Sequence, residues 1–167
     1  MCWRGRSNKK VADKDIKVYK VLLKYEDKYI PYFYSDKLAY EVGKCYKQEM
    51  DVNKNSYLYT IRAGFHSYSI ENTKIKRAQV GNLIKYEIGS VVYGDYFDEY
   101  YDVESDILHT TNNDLGDISV KDVVHFVKCI IPKGAEYFEN EEGLIVSNEI
   151  IVTGEEMDLN FLDNFVV

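Results

Sequence analysis

The chain has 167 residues, one domain's worth, and enough to bury a core without disulfides or metals. Hydrophobic residues at 46% and charged residues at 29% exclude a collagenous or disordered chain, and no apolar run approaches the ~18–20 residues of a membrane-spanning helix. The net charge of −7 conceals an asymmetry: residues 1–47 carry 12 Lys/Arg against 6 Asp/Glu, and the remainder carries 9 against 22. An acidic body with a basic beginning argues against nonspecific grip on nucleic acid, except through the basic N-terminal arm.

Residues 1–14 are polar and basic with little periodicity and read as a mobile arm, whose Arg4, Arg6, Lys9 and Lys10 are candidates for contacting a partner. Charged residues follow Met1 and Cys2 where a signal peptide needs an apolar stretch, so no leader is expected. From Asp15 onward Ile16, Val18, Tyr19, Val21, Leu22, Leu23 and Tyr25 predict a first strand. Pro31 then limits Tyr29–Tyr34 to an edge strand or packed loop. Leu38, Tyr40 and Val42 alternate up to Gly43, which reads as a bulge or turn, and residues 51–56 read as a loop. Residues 57–62 resume alternation, and Ala63-Gly64 breaks it before Phe65–Tyr68, giving two short strands or one bulged strand.

Ser69 as N-cap and Gly81 as stop predict a helix over 70–80. Residues 82–121 read as an acidic insertion, with a hairpin across Gly89-Ser90 and a polar loop over 110–117. The densest strand signal is Asp122–Ile131, closed by the turn Pro132-Lys133-Gly134, and is followed by short strands at 136–138 and 144–152. Gly154 ends the regular pattern, leaving a tail over 154–167 in which Phe161 and Phe165 fit a short helix that engages a partner. The expected core comprises Val18, Val21, Leu23, Val42, Ile61, Val124, Phe126, Ile130, Ile145, Ile150 and Val152.

Chemistry-bearing groups are sparse. Cys2, Cys45 and Cys129 are odd in number and fit neither a disulfide framework nor a zinc site, which favours a reducing compartment, cytoplasmic or inside a phage particle. Cys129 sits on a dense strand as a small hydrophobe, whereas Cys45, between Lys44 and Lys47, has the better claim to a lowered pKa. Arg62, Gly64, His66 and Tyr68 would share one face of a continuous strand and form a cationic and phenolic row, although a histidine bonded among aromatics is the simpler assignment for His66. His125 reads as a partly buried strand histidine, and His109 as a surface residue. The six carboxylates from Asp95 to Asp106 lack EF-hand spacing and read as a solvated acidic loop rather than a Ca²⁺ site or a mimic of nucleic acid. No nucleophile, phosphate-loop or dinucleotide motif is present, so no cofactor or metal is expected.

Two resemblances attach to these motifs. "DIKVYKVL", "YEVGKCY", "GFHSYS", "KCIIPKGAEYF" and "IVSNEIIV" resemble segments of small proteins of gut bacteria and their tailed phages, which implies no activity. The "IPKGA" turn and the strand after it resemble the ADP-ribosyltransferase fold around residues 128–152. That resemblance implies an NAD site in which Arg62 or His66 supplies the first element, Ser67-Tyr68-Ser69 the second and Glu149 the catalytic carboxylate, but Ser147 stands where the family has a second Glu.

The combined expectation is one α+β domain over 15–153, a mostly antiparallel twisted sheet of six to nine strands with one or two short helices. The functional expectation is a non-enzymatic binding or assembly protein that engages a protein partner or itself through its termini. An ADP-ribosyltransferase-like enzyme using Arg62, His66 and Glu149, or its inactive descendant, is the alternative.

Overall fold

The β-branched and aromatic run predicted from Ile16 forms the longest strand among the described residues. The computed structural model describes residues 3–25, 28–31, 39–70, 99–102, 107–110, 118–119 and 125–157. These hold β1 (Trp3–Gly5), β2 (Lys10–Val11), β3 (Ile16–Tyr25), β4 (Lys28–Pro31), β5 (Cys45–Lys47), β6 (Val52–Asn55), β7 (Leu58–Ile61) and β8 (Phe65–Ser69). They continue with β9 (Glu99–Asp102), β10 (Ile107–Thr110), β11 (Ile118–Ser119), β12 (His125–Ile131), β13 (Glu136–Glu139), β14 (Leu144–Ser147) and β15 (Glu149–Met157). The architecture is mostly antiparallel β, and no helix occurs among the described residues. The helix expected over 70–80 lies outside them from residue 71 onward, as do the Gly89-Ser90 hairpin and the tail helix with Phe161 and Phe165.

The chain divides into two compact units. The first comprises Met1–Lys20, Glu41–Lys74 and Val127–Glu156; the second comprises Val21–Tyr40, Ile75–Phe126 and Met157–Val167. The main sheet has nine strands in the order β2-β13-β14-β8-β3-β12-β15-β5, with β4 pairing β3 off this path. Two three-stranded sheets accompany it, β1-β7-β6 and β11-β10-β9. Within the second unit β9–β11 form an antiparallel meander, so Glu99–Asp102 of the acidic run is a strand where a loop is expected. Tyr29 and Tyr40 exchange backbone hydrogen bonds of 3.2 and 2.7 Å there.

In the first unit, Ser147 and Glu149 end β14 and begin β15 with only Asn148 between them. Their strands are nevertheless four places apart in the order β14-β8-β3-β12-β15. A flat sheet would separate them by about 19 Å, whereas two successive Cα steps reach at most ~7.5 Å. The sheet therefore coils on itself like a partly closed barrel. Asn148 pins the seam: its N–H donates to the Glu136 carbonyl at 3.1 Å, its side-chain oxygen accepts from the Glu136 N–H at 2.9 Å, and its carbonyl accepts from Gln48 at 2.9 Å.

Val18, Leu22, Val127, Cys129, Ile131, Ile150 and Val152 are fully buried, and Phe126 and Ile145 nearly so. Val42 departs from the expected core at 51% exposure, because the turn at Gly43 stops the alternation before β5 begins. Val21 and Ile130 are half-buried, since their neighbours Leu22 and Ile131 take the inward positions; the burial of Leu23 and Val124 lies outside what is described. Gly154, expected to end the pattern, is a positive-φ kink inside β15, and the expected loop at 51–56 contains β6.

The N-terminal segment is the largest correction. It contributes β1 and β2, and Trp3 is buried with Ile61, Phe138 and Val146 in a cluster flanked by Met50, Tyr59 and Leu144. The Trp3 indole N–H donates to the Leu144 carbonyl at 2.7 Å, and its ring lies 5.6 Å from that of Phe138. One aromatic residue far from its partners in sequence anchors the segment without any local periodicity.

Candidate functional site

Gly64 separates the residues that the sequence places in one row. It has φ +122°, and a Cβ there would approach Val146 at 2.8 Å and Met50 at 3.0 Å, so only glycine fits the corner between β7 and β8. Arg62 consequently stands exposed beyond the end of β7 in the small sheet, while His66 enters the main sheet on β8 opposite Val146. Glu149 opens β15, with its carboxylate 3.6 Å from both Cys45 Sγ and Lys47 Nζ of β5. No hydrogen bond or ion pair joins Arg62, His66 and Glu149 among the described residues.

His66 is partly buried on β8. Its Nε2 and the Ser67 hydroxyl are buried without a protein hydrogen-bond partner. The Lys20 ammonium, only 7% exposed, donates to the His66 carbonyl. Burial chiefly, and then the Lys20 charge, lower the His66 pKa to about 4, against the opposing pull of the Gly64 and Ile61 carbonyls. The imidazole is therefore neutral at pH 7. Cys129 is fully buried and burial pushes its thiol up to about 12, as expected of a structural cysteine. His66 and Ser67 are successive residues of β8 and face opposite sides of the sheet, so these groups do not make one site, and no charge relay between a nucleophile and a base occurs among the described residues.

Cys45 reverses its expectation. Lys44 turns its ammonium over the Tyr46 ring at 5.2 Å, and burial together with the Glu149 hydrogen bond and charge raises the Cys45 pKa, outweighing Lys47. His125 is half-buried, edge-on to Tyr29 at 6.5 Å, as its strand position implies. No group of three metal-ligating side chains occurs among the described residues.

Of the predicted partner-contacting residues, Arg4, Arg6, Lys9 and Lys10 lie on or beside β1 and β2, whereas Phe161 and Phe165 lie outside the described residues. Arg4 lies on β1 opposite Thr60, and Arg6 follows β1 with its guanidinium 5.0 Å from the ring centre of Tyr57, which is 67% exposed. Lys9 pairs with Glu136 at 3.3 Å, and Lys10 is exposed on β2, the end strand of the main sheet. Lys54 of β6 sits over Tyr59 at 5.1 Å, on a strand whose four residues are all exposed. Residues 3–12 and 52–62 together contain Arg4, Arg6, Lys9, Lys10, Lys54 and Arg62, and no Asp or Glu. With Lys9 paired to Glu136 and Asp51 opposite Arg62, the small sheet is still net cationic within an acidic chain. The signal in the sequence was the charge asymmetry itself; the missing half was β6, whose residues Val52–Asn55 look like a polar loop.

No protein-family model, curated protein or solved structure matches this chain.

Proposed function

We propose that this chain is a non-enzymatic binding or assembly protein that engages a protein partner through its basic N-terminal segment, held rigid in the β1-β7-β6 sheet. The observation that carries this reading is the cluster of Arg4, Arg6, Lys54 and Arg62 on one small sheet, set against Asp51 alone, beside exposed Tyr57 and Leu58. Fixing the segment by Trp3 lowers the ordering cost that a mobile arm would bear on binding. Cations around an exposed aromatic ring suit a partner that is acidic with an apolar component.

Calorimetric titration with polyglutamate at low and at raised salt tests this. Wild type binds in a salt-dependent manner, Arg4→Glu/Arg6→Glu weakens binding, and Lys133→Glu, outside the cluster, leaves it unchanged. Equal binding by wild type and the double variant overturns the reading. So does nicotinamide release from NAD that disappears in Glu149→Gln, because that outcome makes the protein an ADP-ribosyltransferase-like enzyme.

A further inference from the structure

β6 ends its sheet among the described residues, and the hydrogen-bond phase of its hairpin shows what its outer side presents. Asn55 and Leu58 flank the two-residue turn Ser56-Tyr57, so they form a bonded pair, and bonded pairs alternate from there. Asn53 therefore bonds to Thr60, and the next bonded position back is Asp51 with Arg62, where the Arg62 N–H donates to the Asp51 carbonyl at 3.3 Å. Val52 and Lys54 fall between these positions. Their backbone N–H and C=O groups point away from β7, giving two donors and two acceptors on an exposed strand edge.

We propose that β6 receives an extended acidic strand of a partner protein by strand addition, with Val52 and Lys54 making the main-chain hydrogen bonds. This deepens the function proposed above and rests on it. Charge selects the occupant. Alternation puts Lys54 on the face of Tyr59 and Ile61, and Arg4 with Thr60 and Asn53 on the other face. An incoming strand lies beside Lys54 on one face and beside Asn53 and Asp51 on the other. There Arg62 opposite Asp51 and Arg4 farther in on β1 outnumber that one carboxylate, so the strand's own carboxylates meet a net positive sheet. A second copy pairing β6 with β6 would instead bring two net-cationic sheets together, which disfavours self-pairing.

The probe is a synthetic peptide of alternating glutamate and valine, capped at both ends and long enough to span β6, titrated into the full chain and followed by fluorescence anisotropy. Val52→Pro deletes one outward N–H, changes no charge and spares the bonds of Asn53 and Asn55 to β7; proline is tolerated at such an edge position. A peptide N-methylated on alternate residues removes the matching donors from the probe, so the test survives if Val52→Pro fails to fold. The proposal expects each change to weaken binding about tenfold or more.

Binding that is lost in Arg4→Glu/Arg6→Glu yet indifferent to Val52→Pro and to N-methylation overturns strand addition and leaves the binding function standing. Absence of peptide binding overturns strand addition, while the polyglutamate titration separately decides the binding function. Preference for a thymidine oligonucleotide over the peptide makes the partner a nucleic acid and overturns the proposal. Concentration-dependent dimerisation abolished by Val52→Pro makes the occupant a second copy and overturns it too.

Discussion

Asn148 and Glu136 hold each other through two hydrogen bonds, the Asn148 N–H to the Glu136 carbonyl and the Glu136 N–H to the Asn148 side-chain oxygen. The pair joins the start of β13 to the corner at which β14 becomes β15, and so fixes the coil of the main sheet. Asn148→Ala strands the partly buried Glu136 N–H and should cost ~1–3 kcal/mol in a urea melt. Asn148→Asp keeps the acceptor and should recover most of that loss. Equal losses in the two variants would show that the side-chain bond does not hold the corner.

Trp3 makes the N-terminal segment part of the fold. Trp3→Ala removes a buried indole from the cluster of Ile61, Phe138 and Val146 and should cost ~3–5 kcal/mol. Trp3→Phe keeps most of the apolar contact but loses the hydrogen bond to Leu144, and should fall between Trp3→Ala and wild type. An unchanged denaturation midpoint in Trp3→Ala would return residues 3–12 to the status of a dispensable arm.

His66 predicts acid sensitivity. Its pKa is lowered to about 4 in the fold against 6.5 when unfolded, so between those values the unfolded chain binds the extra proton. Stability from this residue is complete above about pH 6.5, declines as pH falls towards 4, and reaches a loss on the order of 3 kcal/mol below that. Denaturant midpoints across pH 4–7 check the slope. It should flatten in His66→Gln, and an unchanged slope in that variant would assign the acid sensitivity to other groups.

Gly64→Ala forces a side chain into a left-handed conformation at φ +122° and into contact with Val146 and Met50. A destabilisation above ~1 kcal/mol is expected. Gly43, which also has positive φ but has nothing within 4 Å of its would-be Cβ, should lose less on the same substitution. Similar losses at the two glycines would mean that crowding at the corner contributes little.

Thiol labelling of the native protein, mapped by mass spectrometry, should modify exposed Cys45 and spare buried Cys129 until the chain unfolds. The reaction at Cys45 should be slower than that of a free thiol at the same pH, because its pKa is raised. Faster labelling would restore the activated cysteine suggested by its lysine neighbours.

Strands built on local alternation were legible in the sequence. Phe126 and Ile150 are buried where the pattern puts them, and the break at Ala63-Gly64 does separate two strands. Features set by distant partners were not. Leu144–Val152 contains no glycine or proline, so nothing local marks Asn148 as a corner; its role comes from Glu136 and Gln48. Trp3 sits among polar residues, and only its contact with Phe138 and Leu144 makes it core. The cationic residues of the candidate site were legible as a composition bias, but the exposed edge of β6 beside them depends on a hairpin phase that polar residues do not advertise.

The bond from Trp3 to Leu144 spans 141 positions of the chain and has a consequence for biosynthesis. At translation rates of about 5–20 residues per second, roughly 7–28 s pass between synthesis of the indole and synthesis of its acceptor. β1 is therefore placed only after β14 has been made, and for that interval its tryptophan is a hydrophobic handle on an unfinished chain. Completion of the Trp3 cluster is paced by the arrival of β14 rather than by the order in which its strands are synthesised.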